Sequence, residues 1–389
     1  MLFYFAKLSM IVASMWRLDL PPIPKFITFM YQLYSVILHL MVYSMPILMV
    51  ANFPSLLQTD INSAIEGASK MLYCGILAVK VYLYESHRCR DLLARALEEE
   101  SRLYAINDGD VTRIYKEHVR YCHILSKLFY ISTVTSSATL CGTAIINSYS
   151  FSKNGDAVGN MPIPLLFWYP FDRNRHCIWV MAHQLLTVVV GNVYALPVIV
   201  YYNSIMIYVR SRLRILQHYF RNYDKYSMLN GGLTTLETLK SLCVKHQDLI
   251  NYVEDVNRSL KNTVFLEYLG SSIILATILY HVIETQSSQS FQGHDTMYNS
   301  IFAFYVSNQL MLLAWTSDEI ALQSSNLATA LYESKWFEQC PDSKMLIRIM
   351  MMGCRKPLSI SIGPFGPMTM LSALSRLKLA YSYISVMTS

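Results

Sequence analysis

The chain has 389 residues, of which 53% are hydrophobic and only 15% are charged, whereas ordinary soluble domains carry roughly 25% charged residues. This composition excludes a soluble multidomain enzyme, a disordered chain and a low-complexity fibre, and it leaves a membrane protein built from helices. The net charge of +6 is modest, so the distribution of charge along the chain carries more information than its size.

The first 25 residues precede any stretch that is long enough to span a bilayer. Residues 8–16 are apolar, but only one Lys comes before them, no A-x-A cleavage site follows, and Pro21, Pro22 and Pro24 end the segment. A signal peptide is therefore disfavoured. We expect residues 1–25 to form a cytoplasmic, interfacial segment that leads into the first span.

Seven segments are long and apolar enough to cross a bilayer, since about 20 apolar residues span roughly 30 Å of hydrocarbon. The second carries Glu66, Lys70 and Lys80, and the fifth carries Lys261 and Glu267, so these two span only if their charges face protein or lie near the ends. In chain order the predicted spans are 26–59, 61–84, 128–152, 176–209, 259–284, 296–317 and 357 to the end.

The basic residues alternate between the intervals that separate these spans. Residues 80–127 and 210–261 each contain nine Lys and Arg, whereas residues 285–297 contain none. Because basic residues concentrate on the cytoplasmic side, the pattern predicts a cytoplasmic N-terminus and an extracellular C-terminus. This orientation is the reverse of that of a G-protein-coupled receptor.

Two of the basic intervals keep helical periodicity, so we expect membrane helices that continue into the cytoplasm. Turns are expected at residues 107–109 and 230–232, where Asn, Asp and Gly cluster. Apolar stripes on these extensions need a partner, which is either a neighbouring subunit or the rest of a self-contained bundle. The stripe residues are Leu92, Leu93, Leu97, Leu236, Leu239, Leu242 and Leu249.

The longest predicted external loop, residues 149–175, is rich in Gly and Pro and contains Phe167, Trp168 and Tyr169. These residues are typical either of a lid that folds onto the bundle or of an ordinary aromatic belt at the membrane surface. Within the spans, Glu66 and Lys70 lie four residues apart and are expected to form an ion pair. Arg376 and Lys378 indicate that the last span borders water or protein.

No pattern of a common hydrolase, zinc or nucleotide site occurs, so we expect neither catalytic activity nor a cofactor or metal. The eight cysteines form no CxxC pair, and most are expected to be free thiols. Whether Cys141 and Cys177 form a disulfide is left open by their spacing.

The stretch from Ser317 to Tyr383 is the most specific part of the sequence. It contains Ser-x-x-Leu-x-x-Ala-x-Tyr from Ser324 to Tyr332, then Trp336, and a basic, Met-rich segment that ends in Lys-Pro-Leu at Lys356. This pattern closely resembles the carboxyl-terminal region of insect odorant receptors. Seven spans with an inside N-terminus agree with that family over the whole length.

The resemblance implies a ligand-gated, non-selective channel for monovalent and divalent cations, in a heterotetramer with a shared co-receptor. It implies a plasma-membrane protein of olfactory sensory neurons that binds a small volatile odorant and no nucleic acid. On this plan residues 26–330 hold helices one to six with the pocket in their outer half. Residues 331–356 form a cytoplasmic anchor region, and 357–389 form the pore-lining seventh helix.

The same resemblance assigns site residues. The apolar pore constriction falls on Val386 and the polar position beyond it on Ser389, with Tyr383 also at the pore; a ring of apolar side chains closes a narrow pore by dewetting. The odorant pocket would be formed by residues in the outer half of spans two, three, four and six. The candidates are Met71, Tyr73, Ser136, Leu140, Met181, Leu185, Phe302 and Tyr305.

Three other classes remain open. A gustatory-type receptor would share the fold and channel mechanism but would form homotetramers without the co-receptor. A G-protein-coupled receptor requires an external N-terminus, and a transporter should show paired halves with broken helices, which the sequence lacks.

Overall fold

The computed structural model describes residues 1–16, 25–59, 61–84, 87–105, 108–153, 163–229, 234–287 and 293–388. Apart from two short 3₁₀ turns and one isolated β-bridge between Ser361 and Pro367, the secondary structure of these residues is α-helical. The helices are α1 (Tyr4–Val12), α2 (Lys25–Thr59), α3 (Ile61–Tyr84), α4 (His87–Ala105), α5 (Gly109–Lys153), α6 (Cys177–Arg221), α7 (Tyr223–Leu229), α8 (Thr235–Ser287), α9 (Gly293–Tyr332), α10 (Pro341–Gly353) and α11 (Met370–Thr388).

Helix α6 lies at the centre of the bundle and packs chiefly against α5 and α9. Its residues from Tyr194 to Val209 are all buried, which makes this continuous apolar run the core of the molecule. Around it, α3 packs between α2 and α8, and α11 packs on α8 and α9. Helix α1 lies against α6 with Phe3, Ala6 and Met10 buried, which agrees with a short amphipathic segment.

By length and composition alone, four of the described helices are apolar enough to cross a membrane, namely α2, α5, α6 and α8. The predicted spans on α3, α9 and α11 fall short on this measure. In α3 the polar contribution comes from Glu66, Lys70 and Lys80, which contact protein groups described below. Polar side chains lower the mean hydropathy of a helix even where those side chains face protein and the helix packs among apolar helices.

Helices α5, α6, α8 and α9 have 45, 45, 53 and 40 residues, about twice the length that a bilayer requires. Their extra turns pack with α4, α7 and α10 at one end of the bundle, which we call the anchor end; we call the other the pocket end. Ion pairs join the extensions, including Arg210 to Glu319 at 3.2 Å and Arg221 to Glu333 at 2.6 Å.

The apolar stripes predicted on these extensions are largely satisfied within the chain. Leu92, Leu93 and Leu239 are at most 1% exposed, and Leu242 and Leu249 are also buried. The stripes therefore build a bundle of their own, as the second of the two predicted arrangements requires. Any contact with another subunit therefore involves other surfaces of the anchor end.

Both predicted turns are followed by capped helices. The Asp108 carboxylate accepts hydrogen bonds from the backbone N–H groups of Asp110 and Val111 at the start of α5. Thr234 and Glu237 form a reciprocal capping box at the start of α8. Residues 106–107 and 230–233 lie outside the described part of the chain.

The seventh helix begins at Met370, so the prediction of a helix from Pro357 is wrong over residues 357–369. This segment forms a folded strap in which Gly363 and Gly366 adopt positive φ angles of 52° and 91°. The Asn257 amide of α8 bonds the backbone of Ser359 and Ser361. The strap is thereby fixed to α8 before α11 starts.

Candidate ligand cavity and pore helix

A cavity of about 90 Å³ lies inside the pocket end, bounded mainly by α3, α5, α6 and α9. One water needs about 10–15 Å³ measured in this way, so the space holds several waters or one compact organic molecule. Residues at i, i+3, i+4 and i+7 on α3 form one wall. The lining residues are Met45, Lys70, Tyr73, Cys74, Leu77, Thr133, Ser136, Ser137, Leu140, Leu165, Thr187, Val188, Gly191, Asn192, Tyr298, Phe302 and Tyr305.

Four aromatic rings make up one side of the cavity. Tyr298, Phe302 and Tyr305 follow one another along α9, and their neighbouring ring centroids lie 5.8 and 6.3 Å apart in stacked orientation. The Tyr73 ring of α3 meets Phe302 edge-on at 5.6 Å. Such a wall offers both faces and edges to an aromatic or unsaturated ligand.

The polar groups of the cavity differ in what they can offer a ligand. Thr133, Ser137 and Thr187 donate their hydroxyl hydrogens to backbone carbonyls of their own helices, so they present lone pairs only. The Tyr305 hydroxyl is itself buried beside Tyr73 and Thr133, so it offers less to a ligand than its ring does.

The upper edge of the cavity carries a cluster of charged groups. Lys70 Nζ lies 2.5 Å from Glu66 Oε1, and His281 Nε2 lies 3.5 Å from Glu66 Oε2, so the predicted ion pair of Glu66 with Lys70 is confirmed. Lys70 also donates to the Pro164 carbonyl at 2.8 Å. The cluster ties α3 and α8 to the loop that precedes α6.

That loop forms a roof over the cavity. Gln184 exchanges two hydrogen bonds with the backbone of Leu165, at 2.6 and 2.8 Å. Asn52 donates to the Leu166 carbonyl, and Phe167 is 1% exposed. Residues 163–169 therefore pack on the bundle in the manner of a lid, although Trp168 keeps 47% of its surface exposed, and residues 170–176 are mostly exposed.

The structure brings five of the eight predicted ligand residues to the cavity, and their contact with a ligand stays a prediction. These five are Tyr73, Ser136, Leu140, Phe302 and Tyr305.

The other three predicted residues, Met71, Met181 and Leu185, do not line the cavity. Met71 lies one residue off the lining face of α3. Met181 shares a face with Val188, but it lies about 10 Å nearer the pocket end at 1.5 Å per residue, above the roof contacts. Met181 instead accepts a contact from the Ser148 hydroxyl at 3.6 Å.

Sequence reasoning missed the residues that complete the cavity, above all Lys70, Thr187, Gly191 and Asn192. On α3, extending the helical spacing in both directions from Tyr73 would have found Lys70 and Leu77. No comparable pattern in the sequence identifies Gly191. Its place in the cavity wall depends on which helices pack against α6 at that turn.

A second polar group lies directly beneath the cavity. Lys80 of α3 forms an ion pair with Glu267 of α8, and the Gln309 amide of α9 donates to Glu267 at 2.6 Å. The Lys80 and Glu267 side chains are only 8% and 13% exposed. The three residues also border a small void of about 20 Å³, whose wall includes Tyr73 and Leu77 of the cavity above.

The predicted pore helix packs against protein at its start. The Arg376 guanidinium lies over the rings of Tyr268 and Phe365, at 4.8 and 5.1 Å from their centroids. Its charge therefore meets aromatic faces, in agreement with a span that borders protein. Tyr383 and Val386 belong to α11, and Ser389 lies outside the described residues.

At the anchor end, Asp108 and Tyr226 form a short hydrogen bond between the start of α5 and α7. Burial acts to raise the pKa of the Asp108 carboxyl, but the hydrogen bonds from Tyr226, Val111 and Asp110 outweigh it and lower the pKa. All eight cysteines, including Cys141 and Cys177, are free thiols. Within the described ranges, no group of three His, Cys, Asp or Glu residues could hold a metal ion.

Comparison with known proteins identifies the fold. Over 98% of this chain and 97% of the other, the structure superimposes on the insect olfactory receptor OR5 from Machilis hrabei in complex with eugenol, with a TM-score of 0.79 and 15% identity. A second structure of the same receptor, whose name mentions no ligand, gives a TM-score of 0.78 over 99% of this chain and 97% of the other. At this identity the likeness shows the fold alone.

Sequence relatives point to the same family. The chain is 23% identical to Odorant receptor 10 of Aedes albopictus over 47% of its length and 46% of the relative's, and 29% identical to Odorant receptor Or2 of Anopheles gambiae over 40% and 39%. The matched regions thus span about half or less of those relatives. The family model described as 7tm Odorant receptor matches residues 76–381. The chain therefore belongs to the insect odorant receptor family, as a multi-pass, all-helical membrane protein.

Proposed function

We propose that this chain is the ligand-binding subunit of an odorant-gated, non-selective cation channel. The observation that carries the proposal is a cavity with an aromatic wall and few polar groups, inside a chain of odorant receptor fold. Few polar groups around an apolar, aromatic space are typical of a site for a small organic ligand.

The lining sets the chemistry of the ligand. A molecule that fits about 90 Å³ is small, and the stacked rings of Tyr298 and Phe302 favour an aromatic or unsaturated body. The hydroxyls of Thr133 and Ser137 would accept hydrogen bonds from it. Eugenol, with which the Machilis hrabei receptor was solved in complex, has an aromatic ring and a hydroxyl but is larger than this space, so as a probe it tests whether the cavity widens.

The orientation follows from the charge pattern, and the proposed location follows from the family. The anchor end carries the basic intervals, so we place it and the N-terminus in the cytoplasm of an olfactory sensory neuron, with the C-terminus outside. A tag at Met1 that is labelled in intact cells would contradict this orientation.

Assembly with co-receptor subunits is supported by a surface of the anchor end. Met345, Ile349 and Met352 of α10 recur at i, i+4 and i+7 and are 65%, 49% and 59% exposed. An apolar stripe on a helix outside the membrane spans requires cover, and a neighbouring subunit supplies it. In the assembled channel, residues 370–389 would line the pore, with Val386 as the constriction and Ser389 and Tyr383 beside it.

Recording from cells that express the chain alone or with a co-receptor tests the proposal. The ligands are a panel of volatile phenols, esters and alcohols that includes eugenol. We expect evoked cation current only when both subunits are present. Current from the chain alone would favour the gustatory-type homotetramer, and a response that requires a G protein would refute the channel.

Paired substitutions on α9 test the cavity itself. Phe302 is 8% exposed and lines the cavity, whereas Phe304 on the same helix is 68% exposed and does not. We expect Phe302→Ala to raise the half-maximal ligand concentration at least tenfold and Phe304→Ala to leave it unchanged. Equal effects of the two substitutions would refute the assignment of the cavity.

A further inference from the structure

A second and larger hollow runs along the outside of the bundle between α5 and α6, with α1 at its lower end. We call it the lateral groove; its volume is about 830 Å³. It extends along α5 from Lys127 to Cys141, which is about 21 Å at 1.5 Å per residue. Its wall includes Ile131 and Val134, which are 62% and 58% exposed and lie in the third predicted span. The groove therefore opens toward the bilayer.

The lateral groove and the ligand cavity share three wall residues. Ser137 of α5 and Val188 and Asn192 of α6 line both spaces. We call these three residues the neck, and all of them are half-buried. The two spaces therefore adjoin at these residues. Side-chain rotations of this kind take place much faster than helix movements, so the neck can open without a change of fold.

The cavity is closed toward the pocket end by the roof. Opening that path requires breaking the two hydrogen bonds between Gln184 and Leu165 and also the bonds from Lys70 and Asn52 to the loop backbone. The neck has no comparable set of bonds to break, because the Ser137 hydroxyl is satisfied within its own helix. The side of the bundle is thus the easier route.

We propose that the lateral groove is the entrance to the cavity for small apolar molecules that are dissolved in the bilayer. Such molecules concentrate in hydrocarbon because transfer out of water is favourable. They reach the neck from the lipid side and pass between α5 and α6. The proposal rests on the function proposed above only for the identity of the ligand; the route itself is tested independently below.

The first test compares two tryptophan substitutions on α5 in the full channel. Val134 lines the groove, whereas Ile145, which is 53% exposed, lies beyond its end. With the strongest agonist of the panel, we expect Val134→Trp to slow both onset and washout of the current about tenfold. The half-maximal concentration stays constant, because an obstructed path raises the barrier equally in both directions. Ile145→Trp should match the wild type; wild-type rates in Val134→Trp would overturn the proposal.

The second test does not depend on gating. In the full chain in lipid nanodiscs, labelling by the neutral reagent N-ethylmaleimide is followed by mass spectrometry at three native thiols: Cys141 in the groove, Cys74 in the cavity and exposed Cys177. We expect Cys141 to react before Cys74. We also expect Val134→Trp to slow labelling of Cys74 about tenfold without slowing that of Cys177.

Two results of this labelling would overturn the lateral entrance. One is a Cys74 that reacts before Cys141 in the wild type. The other is a Gln184→Leu variant, with a released roof, that accelerates labelling of Cys74 while Val134→Trp leaves it unchanged. If the panel evokes no current but the labelling follows the expected order, the proposed function fails and the entrance stands.

Discussion

The buried ion pair of Lys80 and Glu267 gives a quantitative prediction about stability. Among the residues that the structure describes, replacing Lys80 by Met leaves the Glu267 carboxylate with only the Gln309 amide as partner, in a position where the pair is 8% and 13% exposed. Breaking a buried pair by removing one partner costs about 3–5 kcal/mol, because the other charge stays desolvated. At about 1.4 kcal/mol per factor of ten, this loss lowers the folding equilibrium constant by a factor of between about one hundred and a few thousand.

Thermal unfolding of the detergent-solubilised receptor, followed by size-exclusion fluorescence, measures this loss. The matched control is Arg102→Met, which removes an exposed i,i+4 pair with Glu98 whose side chains are 71% and 63% exposed. Such a surface pair contributes only about 0.3–0.5 kcal/mol. The double variant Lys80→Met with Glu267→Met should recover most of the stability, because no unpaired charge remains.

Two outcomes would contradict this prediction. If Lys80→Met destabilises no more than Arg102→Met, the Lys80 and Glu267 side chains are solvated in the membrane protein and their pairing contributes little. If the double variant is as unstable as Lys80→Met, the loss comes from packing around position 80 and not from an unpaired carboxylate.

Three further predictions concern other parts of the molecule. Gly191→Val should narrow the cavity, so dose–response curves should shift to higher concentration for the bulkiest agonists and least for the smallest; a uniform shift would argue against a steric cause. Tyr226→Phe should remove the hydrogen bond that lowers the pKa of Asp108, so the wild type should be more stable at neutral pH. That advantage should fade as the pH falls through the lowered pKa, and a thermal-shift difference that persists in acid would contradict it. Met352→Glu should prevent co-purification with the co-receptor while the monomer stays folded, and unchanged assembly would refute the contact.

The sequence predicts the helical bundle well because the information is local and repeated. The apolar runs and the alternation of basic intervals depend on composition over tens of residues, which tolerates error at any one position. The ion pair of Glu66 with Lys70 is predictable for a related reason, since one turn of a single helix brings the two side chains together.

The cavity is only partly predictable because its depth depends on how helices pack against one another. Met181 and Leu185 lie on the same face of α6 as Val188 and Asn192, and spacing alone does not tell which turns meet the aromatic wall. The pairing of Lys80 with Glu267 joins two helices that are far apart in sequence, so no local sequence pattern predicts it. The start of α11 failed for another reason: apolar content marked residues 357–369 as helix, although their Pro and Gly residues favour a folded strap.

Helix α9 is a single rigid rod that is held at both functional ends. Phe302 and Tyr305 line the cavity, and 13 residues beyond Tyr305, about 20 Å along the axis, Asp318 accepts a hydrogen bond from the first backbone N–H of α11. The neighbouring Ser317 donates to the Met368 carbonyl of the strap. No loop lies between these two points. In the proposed channel, a ligand that tilts or turns α9 would therefore displace the base of α11, and Asp318→Asn would loosen that linkage without altering the cavity wall.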